Sequence, residues 1–96
     1  MNFALYLACT FLERSLRMFD LDHLKVRMQE RTLVIYSEES GKQSPRAIFT
    51  LFPGNQFLLF VANHRGKWQP TPFIGTAAEV WKVLTSKCVF ALARWP

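Results

Sequence analysis

The sequence predicts an α+β fold, a mostly antiparallel four- to five-stranded sheet with an N-terminal and a C-terminal helix packed on one of its faces. Three observations carry this expectation. Apolar residues recur at helical spacing over residues 3–17 and again after Thr76; the period drops to two from Leu24; and Pro53-Gly54-Asn55 separates two apolar runs. With 96 residues the chain holds one core, so residues 1–96 read as a single domain. Half of the residues are apolar and nine are Phe, enough for packing to hold the fold without disulfides or metal.

Leu5, Ala8, Cys9, Leu12 and Leu16 form one stripe of the first helix, with Glu13, Arg14 and Arg17 off it. Phe3, Ala4, Leu7 and Phe11 make its first half apolar all round, so a buried strand over residues 3–9 is the competing reading. The apolar start lacks a basic leader and is interrupted by Thr10, Glu13 and Arg14, which marks it as core rather than a signal peptide. No run approaches the roughly 20 apolar residues that span a bilayer, and the cytoplasm is the expected location.

Leu24, Val26 and Met28 alternate with Lys25, Arg27 and Gln29, the pattern of a strand with one polar face. A tight turn at Glu30-Arg31 joins it to Thr32-Leu33-Val34-Ile35-Tyr36, and the pair reads as a hairpin. A helix over residues 21–30, capped by Asp20 or Asp22, is the alternative that this alternation opposes. The polar stretch Ser37 to Ser44, closed by Pro45, reads as a surface loop between two strands. Residues 46–52 and 56–62 are strands joined by the Pro53-Gly54-Asn55 turn, where proline presets φ and Gly or Asn accepts a positive one. Both are apolar on both faces, which predicts central positions with helices on one side and more chain or a partner on the other. A homodimer through the sheet is expected on that ground.

Asn63-His64-Arg65-Gly66 forms a second turn that leads into residues 67–73, where Pro70 and Pro72 allow only an edge strand or an extended loop. Thr76 and Glu79 make a capping box at the start of the last helix. Ala77, Val80, Trp81 and Leu84 continue it, and the spacing of Cys88, Ala91, Leu92 and Trp95 favours one long helix over a final strand at residues 88–92.

Twelve Lys and Arg against seven Asp and Glu give a net charge of +5, which favours acidic partners such as nucleic acid or anionic lipid. The basic residues are dispersed, as on an ordinary solvated surface. Cys9 and Cys88 lie too far apart in sequence for a redox motif and read as free thiols. His23, His64, Cys9 and Cys88 are the only soft metal ligands, and none is close in sequence to another, so no metal or cofactor is expected. Asp20-Leu21-Asp22 superficially resembles the paired acids of haloacid-dehalogenase-type phosphatases, but the chain has no room for that family's sheet and later motifs; both read as boundary acids. Gly41-Lys42 lacks the second glycine of a phosphate loop.

The candidate binding residues are His64, Arg65, Lys67 and Trp68, where cations sit beside an indole. With no catalytic motif on the chain, the expected function is a non-enzymatic protein-binding or regulatory module. A nucleic-acid-binding module using dispersed basic charge is second, and an enzyme with an unrecognised site third.

Overall fold

The computed structural model describes residues 3–62 and 67–92. Helix α1 (Phe3–Met18) is followed by strands β1 (Leu24–Gln29), β2 (Thr32–Glu39), β3 (Lys42–Phe52), β4 (Gln56–Ala62) and β5 (Trp68–Gly75), then by helix α2 (Ala77–Lys87) and a 3-10 turn at Val89–Ala91. The strands form one sheet in the order β1-β2-β3-β4-β5, each antiparallel to its sequence neighbour. The α+β reading holds, and β3 and β4 lie inside the sheet as their doubly apolar sequences require.

Alternation assigns the two faces. Leu33 pairs with Phe49 and Phe49 with Leu59, so these residues share one side with Ile35, Ala47, Leu51, Phe57 and Val61. Leu5, Ala8, Leu12 and Leu16 of α1 and Val80, Trp81 and Leu84 of α2 pack onto that side in a single core. Phe19, just past α1, meets the Trp81 ring edge-on at 5.5 Å and ties the two helices together. At the start of α2 the Thr76 side chain accepts from the Glu79 N–H at 3.2 Å, and Glu79 accepts from the Thr76 N–H at 2.9 Å, as the capping box predicts.

Two expectations need correction. The polar stretch from Ser37 to Ser44 is not a loop. β2 and β3 run on through it as a ladder in which Glu39 faces Lys42, and Ser40 and Gly41 turn the chain with φ of 53° and 78°. Left-handed dihedrals at both central residues match the twist of a two-residue hairpin, and Gly at the second of them has no Cβ to resist it. Polar residues form strand here because the hairpin tip extends beyond the core. The second correction concerns the long last helix, which stops at Lys87, with Cys88 at φ −125°. The chain then folds Ala91 and Leu92 onto the core through the 3-10 turn. Arg46 and His23 hold the carbonyl oxygens of Ala91 and Leu92 at 3.1 and 3.0 Å, oxygens that a continuing helix would use internally. The final part of that expected helix, residues 93–95, lies outside the described residues.

Arg46 reaches the core because β3 bulges beside it. The register passes from Ile35 opposite Ala47 to Tyr36 opposite Pro45, with Arg46 the extra residue between them. Pro45 is tolerated in an interior strand at that bulge. The Arg46 side chain is 0% exposed and donates to Ser37 Oγ at 3.2 Å, to the Ala91 carbonyl and to Glu39 Oε1 at 3.3 Å.

Candidate interaction surface

The side of the sheet away from the helices carries Lys25 and Arg27 from β1, Thr32, Val34 and Tyr36 from β2, and Ile48, Thr50 and Phe52 from β3. Leu58 and Phe60 of β4, with Trp68, Pro70 and Ile74 of β5, complete it; pairings such as Val34–Ile48, Ile48–Phe60 and Phe60–Pro70 fix this set. Among the described residues no element packs across it.

The face divides into two halves of different character. Over β1 and β2, the Arg27 guanidinium lies 5.2 Å from the Tyr36 ring centroid and donates to Gln43 of β3, so its aliphatic stem crosses β2. Val34 and Tyr36 are buried beneath this cover, and Lys25 pairs with Glu38 at 3.4 Å alongside. Nothing comparable crosses β3, β4 and β5 among the described residues. Ile48, Leu58 and Phe60 are half-buried, and Phe52, Trp68 and Ile74 are 38%, 40% and 53% exposed. This bare half is a contiguous apolar surface of aliphatic residues with aromatic residues towards its ends.

Of the four residues singled out from sequence, His64 and Arg65 lie outside the described residues, as does the rest of the Asn63–Gly66 turn. Lys67 is exposed just before β5. Trp68 opens β5 opposite Ala62 and stands at the margin of the bare half. The structure therefore joins Trp68 to an aliphatic surface. Ile48, Leu58, Phe60 and Ile74 were missed as surface residues, although the apolarity of β3 and β4 on both sides was their signal.

A second apolar area lies on α1, where Phe3, Tyr6 and Leu7 point outward and a shallow groove between Leu7, Phe11 and Ala77 separates the helices. The thiols offer little nucleophilic character. Burial raises the pKa of both, and at Cys9 the carboxylate of Glu13, 3.8 Å from Sγ, raises it further. Among the described residues no group of three or more His, Cys, Asp and Glu is placed to hold a metal ion, and no helix is long and apolar enough to cross a membrane. No family model, curated protein or solved structure matches the chain.

Proposed function

We propose that this chain is a non-enzymatic protein-interaction module that pairs with a second copy of itself through the bare β3–β5 half of its sheet. The apolar surface of Ile48, Phe52, Leu58, Phe60 and Ile74, which no described element covers, carries this reading. Two helices occupy only the other side, and an apolar patch is its own complement in an isologous contact. Three strands about 4.8 Å apart and about seven residues long present a face of roughly 14 by 24 Å. Stacking two such faces buries on the order of 700 Å², below the size of a stable interface, so pairing should be weak and concentration-dependent. Two unpaired thiols suit the reducing cytoplasm.

Nucleic acid fits this surface less well. Among the described residues β3, β4 and β5 place no cation on this side to meet phosphate, and Lys25 and Arg27 lie over β1 and β2 instead. Sedimentation equilibrium from low to several hundred micromolar tests the proposal. The expected result is a mass rising towards the dimer, abolished in Leu58→Asp and Phe60→Asp with unchanged circular dichroism. A monomeric mass throughout would overturn it, and co-purifying nucleic acid released by salt would favour the other reading.

A further inference from the structure

The two edges of the sheet are built differently. β5 carries Pro70 and Pro72 and a register shift against β4, features that spoil an edge for pairing. β1 has neither: all six of its residues pair in unbroken register with β2. The two-residue turn at Glu30-Arg31 closes on Gln29 and Thr32, which makes that pair the hydrogen-bonded one. Alternation then turns the backbone N–H and C=O groups of Leu24, Val26 and Met28 away from β2. The Leu24 N–H is taken by the Leu21 carbonyl at 3.0 Å. Val26 and Met28 therefore present unused donors and acceptors along the edge, unmatched by any other described residue.

Beside this edge runs a groove of about 410 Å³ between β1 and the flank of α1. Leu21, Leu24 and Val26 give it an apolar floor, and Glu13, Arg17, Asp22 and Lys25 a charged rim. A strand added to β1 would point alternate side chains into this groove and the others towards the open face, where Lys25 and Arg27 stand two residues apart. The first set must be aliphatic to match the floor. The second set is best acidic, since opposite charges attract across a ladder and like charges repel. A second copy of β1 is the wrong occupant for that reason, because antiparallel self-pairing brings Lys25 and Arg27 against their own counterparts.

From these observations we infer that the β1 edge is a docking site for an extended segment of another protein in which acidic and aliphatic residues alternate. The segment adds a sixth strand, its aliphatic side chains fill the groove between β1 and α1, and its carboxylates face Lys25 and Arg27. The Lys25–Glu38 pair is solvent-exposed on both sides and the bond from Arg27 to Gln43 is exposed as well, so turning both cations towards incoming carboxylates costs little. This site is separate from the bare half of the sheet face and does not depend on self-association.

A fluorescein-labelled peptide containing Glu-Val-Glu-Val-Glu-Val, titrated with the full chain and followed by anisotropy, tests the inference. Saturable binding is expected, weakened by salt and absent for a Lys-Val peptide of the same length. Met28→Pro removes one outward N–H at a side chain that is 45% exposed, and should weaken binding about tenfold. Methylating alternate backbone nitrogens of the peptide should do the same without touching the protein. Lys25→Glu with Arg27→Glu should transfer the preference to the Lys-Val peptide. Phe60→Asp should leave peptide binding unchanged, which separates this test from that of the dimer. No saturable binding, or binding indifferent to both Met28→Pro and N-methylation, would overturn the inference.

Discussion

Replacing Arg46 with methionine keeps a long unbranched side chain at the β3 bulge but removes every donor it offers. The Ala91 carbonyl and the Ser37 hydroxyl then lose the guanidinium that lies 3.1 and 3.2 Å away. The buried Ala91 carbonyl is then stranded, at a cost of about 1–3 kcal/mol, whereas the Ser37 hydroxyl still donates to Glu39 Oε1 at 3.3 Å. Glu39 contributes little, because its side chain is 56% exposed and rehydrates. Working the other way, the folded state no longer desolvates a cation whose pKa burial already pushes below its ordinary value. Removing that burden returns several kcal/mol of desolvation, most of which the native hydrogen bonds already offset. The net expectation is a loss of about 2 kcal/mol, which for a domain of this size lowers Tm by roughly 8–16 °C. Urea titration should show the midpoint falling at constant slope. Amide exchange should speed up most at Ala91 and Leu92, whose N–H groups close the last turn onto Cys88 and Val89. Equal or greater stability, with Leu92 still protected, would refute the reasoning and show that desolvation dominates at this site.

The capping box gives a second test: Thr76→Ala should cost about 0.5–2 kcal/mol in a denaturant titration, since it frees the Glu79 N–H at the helix start. Glu79 adds a pH dependence with a defined sign. The Thr76 backbone N–H and then its hydroxyl hold the carboxyl below its ordinary value, so its contribution is present above the unfolded-state pKa and is lost as pH falls through the folded one. Comparing Glu79→Gln with the parent chain at neutral pH and near pH 3 should show the difference shrinking in acid. At Cys9 the effect of Glu13 can be read kinetically: Glu13→Gln should lower the thiol pKa and speed its reaction with a disulfide reagent, while Cys88 stays slow.

Local chemistry was legible in the sequence wherever a few neighbouring residues decide the structure. Leu24 to Gln29 alternate and form β1; Pro53, Gly54 and Asn55 turn the chain between β3 and β4, with Gly54 and Asn55 at positive φ; Thr76 and Glu79 cap α2. What escaped depends on contacts between distant residues. Arg46 is an ordinary surface cation by composition, and the β3 bulge together with the Ala91 carbonyl, 45 positions away, makes it a core residue. The same bond helps to end α2 at Lys87, where periodicity alone would have carried it on. Site residues followed the same rule. Charge and turn chemistry drew attention to Lys67 and Trp68, whereas the bare surface arises from the register of three strands, which aligns Ile48 with Phe60 and Leu58 with Ile74.

Strand order has a consequence for the chain in time. Each strand pairs with the one made just before it, so the five-stranded ladder can zip up from its amino-terminal end as synthesis proceeds. The helical cover cannot. Leu5, Leu12 and Leu16 are ready early, but the core they join is finished only when Val80, Trp81, Leu84 and Leu92 arrive. At about 5–20 residues per second, making α2 and the turn after it leaves that core half open for on the order of one to three seconds. During that interval the part of the helix side awaiting α2 and the bare β3–β5 half of the other side are both apolar and solvent-facing, and the chain is then at its most adhesive.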